Sequence, residues 1–216
     1  LIYSFTAAND FQICKRRYFH KHIAKDVEQE SSPALEYGNL VHKAFEKRLD
    51  QGIPFSSELA HLEPFALAVD HVRDADSLQV DVERRLGIRG DGLSCGFYEP
   101  SCAWRGKLDL VVRNDTIAQL YDWKTGKARE DPFELEVQAV LLRAAYPSIK
   151  VFKGRYIWLR EEKLGATHQL DPSRTWARMK ELGQEINEAT KMNYWPEQEN
   201  PLCAWCPAKQ CRFNRA

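Results

Sequence analysis

Apolar residues recur at helical and then at strand spacing along this chain. In SSPALEYGNLVHKAFEKRLDQG, residues 31 to 52, Val41, Phe45 and Leu49 stand four apart, the step that keeps side chains on one face of a helix. Ser32 suits the N-cap, Pro33 the first turn, and Gly52 follows the end. A second helical stretch covers roughly residues 56 to 73. The period then drops to two, and LQVDVERRLGI, CAWRGKLDLVV and TIAQLYDW alternate as strands do. DPFELEVQAVLLRAAY returns to helical spacing, with Asp131 as cap and Pro132 behind it. GRYIWLR and LGATHQL, separated by EEK, predict a hairpin, and an amphipathic helix from about Pro172 to Met192 leads into a cysteine-rich tail. Helices first, a largely antiparallel sheet in the middle and helices around it predict an α/β or α+β fold.

A chain of 216 residues suffices for one well-packed domain, and no long linker divides it. Its 44% hydrophobic and 29% charged residues fit a globular protein. No apolar run approaches the ~20 residues that span a bilayer, and no signal peptide is visible, so a cytoplasmic protein away from membranes is expected. The 31 basic and 31 acidic residues balance, so attraction to nucleic acid has to come from local patches. The clearest is CKRRYFHKHIAK, where Lys15, Arg16, Arg17 and Lys21 flank Tyr18 and Phe19; it reads as a DNA contact or as a solvated helix face with its aromatics turned inward.

The stretch YDWKTGK places Asp122 and Lys124 at the end of an apolar strand, both on the side of Leu120. The preceding strand, KLDLVV, turns through RNDT, where Asn114 and Asp115 suit a hairpin. If Arg113 pairs with Thr116, Asp109 lies opposite Leu120 and Asp122 is its diagonal neighbour, about 7 to 8 Å away on the same face. Two converging carboxylates beside a lysine suit a hard divalent ion that binds a phosphate group, with the ammonium orienting water or meeting charge at phosphorus. An isolated Asp-x-Lys equally describes a salt-bridged strand end. His42 borders an apolar helix face, as packing histidines also do, and Glu83 in VDVE reads as a surface strand glutamate or as an acid that supports the site from behind. Gln138 shares the apolar stripe of Leu135, Leu142 and Ala145, so its amide must bond something beneath the helix, a strand-end carbonyl or a reaction centre. No G-x-x-x-x-G-K-[ST] occurs, so this chain shows no sign of an ATP-driven motor.

Six cysteines without a secretion signal argue for metal binding or buried thiols. Cys203, Cys206 and Cys211 form C-x2-C-x4-C, and a fourth sulfur from Cys14, Cys95 or Cys102 would complete a structural zinc or a 4Fe-4S site.

The motifs, in their order, resemble the PD-(D/E)XK nuclease superfamily and within it the RecB-like branch, which includes the AddB nuclease module and CRISPR-associated RecB-like exonucleases. They are G-x-x-x-H at Gly38 to His42, G-x-x-D at Gly106 to Asp109, D-W-K-T-G at Asp122 to Gly126, and Gln138 in the next helix. The resemblance implies a restriction-endonuclease-like core with a central mixed sheet flanked by helices, within a single nuclease domain whose core covers about residues 30 to 170. It implies His42, Asp109, Asp122 and the Trp123 carbonyl as ligands of Mn²⁺ or Mg²⁺, Lys124 assisting the attacking water, and Gln138 supporting the site. Iron-sulfur members take one cysteine from the N-terminal helix and three from the tail. This implies a 4Fe-4S cluster on Cys14, Cys203, Cys206 and Cys211, with Zn²⁺ as the alternative, joining residues 1 to 25 to residues 172 to 216. The family's tyrosine four residues after the glutamine is Leu142 here, with Tyr146 one turn on. The expected activity is hydrolysis of DNA from its ends or of single strands. The alternative is a DNA-end-binding or assembly module acting through a helicase, an integrase or another recombination or CRISPR-adaptation partner.

Overall fold

The computed structural model describes residues 1–27, 32–74 and 77–215. Its helices are α1 (Phe5–Ile13), α2 (Lys15–Tyr18), α3 (Pro33–Gln51), α4 (Glu63–Arg73), α5 (Phe133–Ala145) and α6 (Pro172–Met192). Its strands are β1 (Gln79–Arg89), β2 (Ser94–Cys95), β3 (Cys102–Arg113), β4 (Ile117–Lys124), β5 (Val151–Trp158), β6 (Lys163–Leu164) and β7 (His168–Leu170). No helix among the described residues is long and apolar enough to cross a membrane. The chain divides into two compact units, Leu1–Ser31 with Ala177–Ala216, and Ser32–Trp176.

In the first unit, Met179, Leu182, Ile186 and Ala189 of α6 are buried at steps of three and four, as the amphipathic pattern predicts. Tyr3 donates to Asn187 Oδ1 at 2.8 Å, and Tyr18 stacks on Trp195 with ring centroids 5.8 Å apart.

The second unit carries the sheet, in the order β2-β1-β3-β4-β5-β6 with β7 also on β5. β1, β3 and β4 are antiparallel neighbours, whereas β4 and β5 are parallel, with α5 as the crossover between them. The sheet is therefore mixed, as in a restriction-endonuclease-like fold: it is largely antiparallel, as the alternating segments predict, with β4–β5 as its parallel pair. Val41, Phe45 and Leu49 of α3 pack with α4 residues on Leu110, Trp123 and Ile157. Phe45 lies flat on Trp123, centroids 4.3 Å apart and planes 5° apart. Ser32 Oγ accepts from Leu35 N and Gly52 ends α3 at φ 67°, both as expected. α5 comes very close to the strands it covers: a Cβ on Gly154 would stand 3.1 Å from Leu135 Cβ, and one on Gly106 would stand 2.9 Å from Leu141 Cδ1.

Two features of the sheet shape the site. Asn114 Oδ1 accepts from the amides of Thr116 and Ile117, drawing both into the turn, so Arg113 pairs with Ala118 and Leu110 with Tyr121. The predicted pairing of Arg113 with Thr116 is two residues short, and Asp109 and Asp122 are instead the next opposed positions. Strand alternation also breaks. The Cβ direction of Gly106 meets α5, yet Leu110, four residues on, packs beneath α3 and α4. The break falls where Glu83 adopts φ 52°, a left-handed conformation that side chains rarely take inside a strand. Glu83 lies between Val82, paired with Leu110, and Arg84, paired with Leu108, and so stands opposite Asp109.

Candidate active site

The break in alternation brings Asp109 toward α3. Its Oδ1 stands 3.3 Å from His42 Nδ1, and its Oδ2 accepts the backbone N–H of Trp123 at 2.9 Å. A carboxylate here takes the place of a strand partner, so the β3–β4 ladder opens at the acid. Glu83 Oε1 lies 3.6 Å from the same His42 nitrogen, and the Lys107 ammonium sits against Glu83 Oε2. Among the described residues, the donors of His42, Glu83 and Asp109 fall within 4.8 Å of one another. Of the two readings of Glu83, the surface glutamate gives way to an acid at the site: its side chain is 5% exposed. The signal that could have revealed it was its register position opposite Asp109.

Asp122 is held from the α5 side. Gln138 Nε2 donates to Asp122 Oδ1 at 2.9 Å, and Lys124 Nζ lies 2.5 Å from Asp122 Oδ2. Lys124 also donates to Glu134 Oε2 at 2.7 Å. The same-face arrangement expected for the two aspartates gives way to an approach from two sides: Asp109 meets α3, Asp122 meets α5, and Trp123 N–H links them across the open ladder. Gly38 of α3 faces this loop, and a Cβ there would stand 3.4 Å from Thr125 Oγ1, an ordinary contact. Tyr146 lies far along α5 at its C-cap, beneath Arg113, whose guanidinium carbon is 3.9 Å from the ring centroid. Leu142 is wholly buried.

The electrostatics are those of crowded acids. Burial, reinforced by the Asp122 charge, pushes the Asp109 carboxyl up to about 6. Burial works against the His42 imidazolium, but Asp109 and Glu83 outweigh it and raise its pKa to about 10. Burial likewise opposes the Lys124 ammonium, and Asp122 and Glu134 overcome it and hold the pKa above its ordinary value. Among the described residues, Glu83 pairs only with the His42 imidazole and the Lys107 ammonium, and Gln138 Oε1 has no hydrogen-bond partner. Two buried carboxylates converging beside an imidazole nitrogen fit a divalent cation that would offset their mutual repulsion. An open cleft of about 330 Å³ reaches this group, lined by Asn39, His42, Lys43, Glu46, Lys107 and Asp109.

In the first unit, Cys14, Cys203, Cys206 and Cys211 line one small cavity. Cys95 and Cys102 belong to the sheet unit, where both sulfurs close over Gly87, at 3.1 and 3.0 Å from where its Cβ would be. Two of the four predicted DNA contacts are already engaged: Arg17 Nε and Lys21 Nζ lie 2.8 and 2.5 Å from the oxygens of Asp10, itself 3% exposed. Lys15 rests 5.0 Å from the Phe11 centroid, and Arg16 is 4.0 Å from Glu197.

The chain is similar over 99% of its length to 88% of a structure described as a "Putative exonuclease" from Eubacterium rectale, at 15% identity and a TM-score of 0.58, a likeness of fold. A structure of SSO0001 matches over the whole chain and 87% of its own, at 16% identity and a TM-score of 0.44. No curated protein sequence matches. The family model of the PD-(D/E)XK nuclease superfamily matches residues 2–211. These nucleases use divalent metals, and the match spans nearly the whole chain: this chain belongs to the PD-(D/E)XK nuclease superfamily.

Proposed function

We propose that this protein is a divalent-metal-dependent deoxyribonuclease of the RecB-like branch that hydrolyses phosphodiester bonds from DNA ends or in single strands. The observation that carries this reading is the convergence of His42, Glu83 and Asp109 within 4.8 Å, one peptide away from an Asp122–Lys124 pair at 2.5 Å. His42, Glu83, Asp109, Asp122 and the Trp123 carbonyl would hold Mn²⁺ or Mg²⁺. When bound, the cation acidifies water and offsets negative charge on the phosphate. Lys124 orients the attacking water, whose oxygen bonds to phosphorus as the bond to the leaving sugar oxygen breaks. Gln138 keeps Asp122 in place through its amide. Lys43 and Lys107 line the cleft and meet the phosphodiester backbone.

We further propose that Cys14, Cys203, Cys206 and Cys211 hold a 4Fe-4S cluster bracing the first unit, where Lys15 and Arg16 lie alongside the nucleic acid while Arg17 and Lys21 stay paired with Asp10. Support comes from the single cavity that all four cysteines line. Anaerobically purified protein is expected to absorb near ~400 nm; a colourless protein containing zinc would refute the cluster.

The activity is tested with end-labelled and closed circular DNA in Mn²⁺ or Mg²⁺, comparing the protein with Lys124→Ala. Shortening of linear DNA that is lost in the variant and in chelator is expected. Equal rates for the two proteins would favour the binding module.

A further inference from the structure

The first turn of α5 contains an acid that none of the family-like motifs explains. Glu134 and Gln138 stand one helical turn apart and both reach the Asp122–Lys124 pair. Gln138 bonds the aspartate and Glu134 the lysine, each through one side-chain hydrogen bond of 2.9 and 2.7 Å. α5 reaches both because Gly154 and Gly106 have no side chains to keep it away from the sheet.

Lysine has a flexible four-carbon stem and three ammonium hydrogens. Here Asp122 Oδ2 and Glu134 Oε2 take two of them, and the Tyr156 ring, centred 5.5 Å from Nζ, closes another side. One hydrogen is left for a water or a phosphate oxygen. A cation on Asp122 competes with Lys124 for the same carboxylate. With Asp122 as its sole anion, the ammonium would then lose its anchor at the moment it is needed. Glu134 supplies a second anchor from a rigid helix, and a carboxylate placed beside two buried aspartates adds repulsion that packing alone does not require.

We propose that Glu134 is the positioning residue for Lys124, holding its ammonium at the reaction centre while Asp122 serves the cation. This rests on the nuclease reading above. A merely structural Glu134, complementing the helix dipole at the start of α5, would affect stability and leave turnover unchanged.

The test is a double-mutant cycle in Mn²⁺ on single-stranded DNA, with Glu134→Gln, Glu134→Asp, Lys124→Ala and the double variant Glu134→Gln/Lys124→Ala. Thermal melting confirms that each variant folds. Glu134→Gln is expected to lower kcat about 10- to 100-fold with KM little changed, because it misplaces a group that acts in the transition state. Glu134→Asp recovers much of the loss, and in the Lys124→Ala background Glu134→Gln costs less than about twofold. The inference is overturned if Glu134→Gln keeps wild-type kcat, or if its cost is the same with and without Lys124. An inactive wild-type protein sinks the nuclease reading and this inference with it, whereas an active protein indifferent to Glu134→Gln sinks this inference alone.

Discussion

Replacing Asp109 by asparagine is expected to stabilise the metal-free protein while removing its capacity to work. The folded carboxyl titrates at about 6 against an ordinary 3.8, because burial and the Asp122 charge disfavour its ionised form. At about 1.4 kcal/mol per pKa unit, a shift of roughly two units means that the ionised carboxylate costs about 3 kcal/mol at pH 7. Asparagine removes the charge and keeps an oxygen that can accept Trp123 N–H. Asp109→Asn is therefore expected to gain up to about 3 kcal/mol, or roughly 6–12 °C in Tm for a chain of this size. The sign with pH follows. A carboxyl raised above its unfolded pKa leaves the folded state holding more protons between 3.8 and about 6, so wild-type stability falls as pH rises through that window. The advantage of Asp109→Asn should vanish near pH 3.8 and be fully developed above about 6. Urea and thermal denaturation in chelator at several pH values measure this directly. A variant less stable than wild type by more than about 1 kcal/mol at pH 7 would refute the picture of crowded, cation-seeking acids.

Further predictions concern the scaffold. Gly154→Val should drive a side chain into Leu135 and Leu170, lift α5 from the sheet and cost about 1–3 kcal/mol, with activity lost ahead of folding; chemical denaturation with a cleavage assay checks it. Phe45→Ala removes a wholly buried ring stacked on Trp123 and should cost about 3–5 kcal/mol in urea unfolding.

Much of the fold was legible because its signals are local. Ser32, Pro33 and Gly52 bound α3 through capping chemistry, and the alternation of TIAQLYDW marks a strand whatever lies beside it. The β3–β4 register was missed by two residues because one side chain, Asn114, takes two turn amides and lengthens the loop. The same-face rule failed at Asp109 for a less local reason. The left-handed backbone of Glu83 on the neighbouring strand breaks alternation there, and a glutamate in VDVE carries no mark of such a conformation. Gln138 is legible because an amide on an apolar stripe is anomalous; Glu134 is not, because acids are ordinary in first helical turns. The pairing of Arg17 and Lys21 with Asp10 joins separate helical segments and leaves no mark in the local sequence.

The proposed chemistry requires a cation seated among His42, Glu83, Asp109 and Asp122, and titration of Mn²⁺ followed by electron paramagnetic resonance tests this most directly. Wild-type protein should remove free Mn²⁺ signal in a saturable way at neutral pH, and Asp109→Asn should bind at least about tenfold more weakly. Equal binding by the two proteins, or none by either, would contradict it.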